Sequence, residues 1–113
     1  YGTGRRGTAM IEKEELQKLC SDDTIFLTQH LVIRMKERGI KYSDIKTVLM
    51  NGDIIEQYED DTPFPSCLVM GLTISGKFLH VVCGIGDGMI YVITAYYPSL
   101  DKFEDDYKTR KGR

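Results

Sequence analysis

The feature that most limits what this chain can fold into is a change of period at Gly52-Asp53. Before it, Ile45, Val48 and Leu49 fall at i, i+3 and i+4, the spacing of a core-facing helix. After it, residues alternate in runs of strand length separated by turn formers. Helices first and a meander of strands afterwards predict an α+β domain. Two or three N-terminal helices would pack on one face of a four-stranded antiparallel sheet, leaving the other face at least partly open to a ligand.

The helical half reads as follows. Ile11–Cys20 carries Leu16, Leu19 and Cys20 on one side among good helix formers, which predicts a short amphipathic helix. Ser21-Asp22-Asp23 is a turn, and Ile25-Phe26-Leu27 is either extended or packs ahead of the next helix. That helix begins at Thr28, whose hydroxyl can accept from an orphan amide. It ends at Gly39, which can adopt the left-handed conformation. Leu31 and Met35, with Val32, would face the core. Ser43 is placed to cap a further helix over residues 44–50, closed by Asn51-Gly52.

The strands expected are Ile54–Tyr58, Cys67–Ile74, Phe78–Ile85 and Met89–Tyr97, the last stopped by Pro98. Glu59–Pro65 is a loop fixed by its two prolines. Glu56 and Tyr58 share one strand face, as do His80 and Val82, and Thr94 and Tyr96. A three-residue hairpin loop, Gly86–Gly88, would set His80 opposite Thr94 and Phe78 opposite Tyr96. A two-residue Asp87-Gly88 turn would instead pair His80 with Ala95 and send Thr94 to the far face. The three-residue loop is preferred because it gives Gly88 the left-handed position. Ser99 could cap a short acidic helix over Asp101–Tyr107, and the basic end Lys108–Arg113 is expected to fray.

A chain of 113 residues points to one domain. The Gly- and Arg-rich stretch Tyr1–Ala9 reads as an expression remnant ahead of a domain over residues 10–113. Setting aside Arg5 and Arg6 moves the net charge from −2 to −4. An acidic chain is not a default nucleic-acid binder, so any RNA contact must come from a local basic patch. The cysteines, Cys20, Cys67 and Cys83, fit neither a disulfide framework nor a zinc spacing. Cys67 and Cys83 read as small buried hydrophobes. With no apolar run of membrane length and no signal-peptide pattern, the expected location is cytoplasmic.

On the helix behind Thr28, His30, Arg34 and Arg38 recur every fourth residue and so project from one stripe. A titratable imidazole beside two permanent cations suits an anion that must also exchange a proton. The open sheet face would gather His80, Thr94 and Tyr96, with Glu56 from the first strand. Imidazole and phenol can exchange protons, and guanidinium can stabilise a phosphorane-like transition state. Structural readings stand beside these. His80 could be a satisfied core histidine, His30 a packing residue, Tyr96 a packing aromatic, Arg34 and Arg38 a solvated face, and Glu56 a partner of either arginine. Glu59-Asp60-Asp61 reads as a solvated loop, since no metal-binding spacing accompanies it. No metal or cofactor is expected.

The run from His30 through Arg34-Met35-Lys36-Glu37-Arg38-Gly39-Ile40, followed by Gly52-Asp53-Ile54-Ile55-Glu56-x-Tyr58, resembles a bacterial and archaeal family known as domain of unknown function 4258. Pro65-Ser66-Cys67-Leu68, Leu79-His80-Val81-Val82 and Ile93-Thr94-Ala95-Tyr96 extend the resemblance from about Thr28 to Tyr97. That family is similar to the RelE/barnase-like ribonuclease toxin fold. The resemblance implies metal-independent RNA cleavage by a toxin paired with a small zinc-finger antitoxin, and it marks His30, Arg34, His80, Thr94 and Tyr96 as site positions. The leading expectation is therefore an endoribonuclease using 2′-hydroxyl attack. One of His30 and His80 would be base and the other acid, Arg34 and Arg38 would hold the phosphate, and Thr94 and Tyr96 would orient it. Alternatives are a non-catalytic RNA-, nucleotide- or protein-binding module on the same fold and an enzyme acting on some other phosphate. The sequence leaves the RNA target and the oligomeric state open.

Overall fold

The computed structural model describes residues 10–99 and 107–110. The expected leader 1–9 and the expected acidic helix, apart from Tyr107, lie outside the described residues. The elements run α1 (Lys13–Lys18), β1 (Ile25–Leu27), α2 (Gln29–Arg38), α3 (Tyr42–Asn51), β2 (Asp53–Tyr58), β3 (Ser66–Leu72), β4 (Phe78–Gly86) and β5 (Met89–Tyr96). The sheet order is β1-β5-β4-β3-β2.

This overturns the four-stranded antiparallel sheet. The sheet has five strands and is mixed, because β1 pairs parallel with β5, setting Ile25 beside Ile90 and Leu27 beside Val92. The Ile90 amide also donates to the Thr24 carbonyl at 2.7 Å. Three residues are too few to display a strand period, and this pairing is made with the far end of the chain.

The helix caps follow the expected chemistry at α2. Thr28 Oγ1 accepts from the Leu31 amide at 3.1 Å, and Gly39 takes φ +70° while the Ile40 amide reaches back to the Met35 carbonyl. At α3 the start lies earlier than Ser43. Lys41 is the N-cap, and Asp44 accepts from its amide at 3.1 Å.

The helices cover one sheet face. Leu16, Leu31, Met35, Ile45, Val48 and Leu49 meet Cys67, Val69, Leu79, Val81, Cys83, Ile90, Val92 and Ala95 in one buried cluster. The β2–β3–β4–β5 meander is antiparallel throughout. No helix among the described residues is long and apolar enough to cross a membrane.

The β4–β5 register differs from both hairpin expectations. The turn is the two-residue Asp87-Gly88, with Gly86 opposite Met89. Ile93 is then an extra residue between the Cys83–Val92 and Val82–Thr94 pairs, and this β-bulge resets the faces. Val82 opposes Thr94 and His80 opposes Tyr96, so His80, Thr94 and Tyr96 share the face away from the helices after all. A second bulge at Ile55 in β2 lets Ile54 enter the helix-side core while Glu56, opposite Leu68, faces the other way.

That second face is not open over its middle. Leu68, Met70 and His80 are all buried, and residues 107–110 lie against it. The basic end was expected to fray, but its first part docks.

Candidate functional site

His80 sits at the centre of the second face with none of its surface exposed. Its Nε2 is 2.7 Å from the Tyr107 carbonyl oxygen. A carbonyl can only accept, so Nε2 carries the hydrogen and the Nδ1 lone pair is left facing Tyr96, whose hydroxyl lies 3.4 Å away. The rings are tilted 59° to one another with centroids 5.3 Å apart. Burial pushes the imidazole pKa below its ordinary value, against the opposing pull of the Tyr107 carbonyl and the Glu56 charge. Burial also raises the Tyr96 phenol. At neutral pH the pair is a neutral imidazole and a protonated phenol, and the phenol is the member with surface still exposed.

Beside this pair, Glu56 accepts from Arg110 and from Tyr58. Arg110 Nε donates to its Oε2 at 2.8 Å, and the Tyr58 hydroxyl donates to its Oε1. Arg110 also reaches the Tyr58 oxygen at 3.4 Å. Burial, together with the bond to Glu56, pushes the Tyr58 phenol up to about 12. The expected pairing of Glu56 with Arg34 or Arg38 is therefore replaced by one with Arg110. No sequence signal singled out Arg110, one of several basic residues in a terminal run. Tyr107 completes this edge of the cluster, its ring 5.4 Å from that of Phe78.

The α2 stripe divides. Arg38 reaches around the free edge of β5, donating to the Ala95 carbonyl at 2.8 Å and approaching Thr94 Oγ1 at 3.5 Å. It thereby satisfies a carbonyl that β1, ending opposite Val92, leaves unpaired. Arg34 instead pairs along its own helix with Glu37 at 3.3 Å, and both side chains are well exposed. His30 is exposed in the first turn. The fold thus brings together His80 with Tyr96, Arg38 with Thr94, and Glu56 with Arg110. Among the described residues no hydrogen bond or ion pair joins His30 or Arg34 to them.

Cys67 and Cys83 face one another across β3 and β4, both buried, with sulfurs 4.0 Å apart. Their mutual contact and burial raise the Cys83 thiol well above its ordinary value, which leaves it an inert hydrophobe. Among the described residues no group of three His, Cys, Asp or Glu side chains is close enough to hold a metal ion.

A family model described as Domain of unknown function (DUF4258) matches residues 27–97, from the last residue of β1 to the residue after β5. No curated protein matches the chain. Every expected site residue, from His30 to Tyr96, falls inside the matched span, whereas Arg110 falls outside it.

Proposed function

The chain belongs to the DUF4258 family, and we propose that it is a metal-independent endoribonuclease acting as the toxin of a toxin–antitoxin pair in the cytoplasm. The observation that carries this reading is the His80–Tyr96 pair, an imidazole locked through Nε2 with its lone pair turned to a phenol. RNA supplies its own nucleophile, so cleavage needs a proton acceptor, a proton donor and cations around the phosphate.

In this mechanism the buried imidazole works through the half-buried phenol. Tyr96 takes the proton of the attacking 2′-hydroxyl as it passes its own to Nδ1 of His80. The oxygen–phosphorus bond forms, the 5′-oxygen leaves, and a 2′,3′-cyclic phosphate remains. Arg38, with Thr94 beside it, and Arg110, oriented by Glu56, are the cations this mechanism assigns to the phosphate. His30 is the remaining imidazole able to protonate the leaving oxygen, a role that rests on its chemistry alone.

A second reading, a non-catalytic binding module, is favoured by one observation: His80 and Arg110 are already engaged by Tyr107 and Glu56. Incubating the purified chain with RNA in chelator separates the two. The ribonuclease reading expects cleavage that falls by about 10²–10⁴-fold in Tyr96→Phe and His80→Gln variants, the size of a general acid–base contribution. Folding of each variant is checked by circular dichroism. Intact RNA in every tube at high protein overturns the ribonuclease reading. Growth arrest on overexpression of the wild type, absent with Tyr96→Phe, supports the toxin role.

A further inference from the structure

The second sheet face carries a cleft well away from His80. It has a volume of about 600 Å³ and lies between the β2–β3 loop and the far ends of β4 and β5. Asp60 and Asp61 form its rim, Phe64, Tyr91 and Ile93 its apolar walls, and Gly84 part of its floor. The cleft exists because the loop can lie close on β4. A Cβ at Gly84 would come 2.9 Å from the Pro65 carbonyl, and one at Gly86 would meet the Phe64 ring at 2.4 Å.

The walls are held. Phe64 stacks on Tyr91 with centroids 5.4 Å apart, and Tyr91 meets Phe26 edge-on at 5.7 Å. Asp61 accepts a hydrogen bond from the buried Ser66 hydroxyl, which fixes the carboxylate at the loop's base. Asp60 is free to face solvent. None of the described residues lining the cleft is a Lys or Arg.

Aromatic faces beside carboxylates attract a cation that also carries apolar surface, and they repel a phosphate. A site of this size suits one long side chain and its neighbours. Ile93 on the cleft wall and Phe26 beyond it remain 52% and 46% exposed, so the apolar surface continues past a single inserted group. We propose that this cleft binds a protein partner by taking an arginine side chain from a basic, partly apolar segment. The guanidinium would lie between the aspartates and the aromatic wall, and a flanking apolar residue of the partner would cover Phe26 and Ile93. The site is separate from the His80 cluster, and the proposal holds whether or not the chain cleaves RNA.

The test is an amide chemical-shift titration of the full chain with three probes. These are an N-acetylated, C-amidated Gly-Arg-Leu-Gly peptide, the same peptide with neutral citrulline in place of arginine, and guanosine 3′-monophosphate. The arginine peptide is expected to shift the amides of Asp61, Phe64, Gly84 and Tyr91. The citrulline peptide should bind at least about tenfold more weakly, as loss of a charge-assisted contact requires. Asp60→Asn, an exposed change, should weaken the arginine peptide about threefold and leave the remaining amide spectrum unmoved. Tyr91→Leu should weaken it further. Equal binding of the citrulline peptide, preference of the cleft for the nucleotide, or shifts confined to other surfaces each overturn the proposal.

Discussion

His80 and Tyr96 meet across β4 and β5 because Ile93 is one residue too many for the ladder. With a two-residue turn and no bulge, Tyr96 would pass to the helix side and His80 would face Ala95. The bulge returns Thr94 and Tyr96 to the face of His80 and sets the phenol 3.4 Å from Nδ1. One unpaired residue thus decides whether the imidazole and the phenol share a face.

The buried imidazole makes stability depend on pH. The folded pKa of His80 is lowered, chiefly by burial. Above the unfolded imidazole value of about 6.5 both states are neutral and the full contribution is present. As the pH falls below that value, the unfolded chain takes up a proton that the folded chain resists. Stability is then lost until the pH has fallen through the lowered folded value. Thermal denaturation across this range should show a steeper acid-side fall in Tm for the wild type than for His80→Gln.

The two arginines of the α2 stripe should behave differently. Arg38→Ala leaves the Ala95 carbonyl without its 2.8 Å donor and is expected to cost about 1–2 kcal/mol. Arg34 makes one exposed pair within its own helix, so Arg34→Ala should change stability by less than about 0.5 kcal/mol. Urea denaturation of the two variants measures the difference.

Much of this was legible beforehand, and the rest was not for identifiable reasons. The α2 caps at Thr28 and Gly39 are local chemistry, so three or four residues suffice to read them. The faces of Glu56 and Tyr58 follow from alternation. Both bulges sit on apolar doublets, Ile54-Ile55 and Val92-Ile93, where the alternation stutters. That stutter was available in the sequence but has no direction without the partner strand. β1 is three residues long and gains its identity from β5. Arg110 and the Tyr107 carbonyl enter the site through tertiary docking of a segment whose basic composition suggested solvent.

Gly52 is required by close approach, not by its backbone angles. A Cβ there would stand 2.6 Å from both the Val48 and Met70 carbonyl oxygens. Gly52→Ala is expected to cost about 1–3 kcal/mol or more, because backbone must move. Gly39→Ala meets open space but holds φ +70°, and should cost about 1–2 kcal/mol through strain alone. Equilibrium unfolding of both variants checks the values.

Cys67 and Cys83 should resist alkylation in the native protein. Both thiols are fully buried, and that of Cys83 is held protonated by Cys67 and its surroundings. Cys20, with 8% of its surface exposed, should label first with iodoacetamide, and the other two only on unfolding. Mass spectrometry of the native and denatured reactions reads the order.

The central claim is that the His80–Tyr96 pair moves the proton of an RNA 2′-hydroxyl. The most direct measurement follows cleavage of a short RNA in chelator beside the same strand carrying a 2′-deoxy sugar at the cleaved position. The account predicts a 2′,3′-cyclic phosphate product from the all-ribose strand, none from the substituted strand, and loss of the product in folded Tyr96→Phe. Cleavage of the deoxy strand at that position, or full activity of Tyr96→Phe, would contradict it.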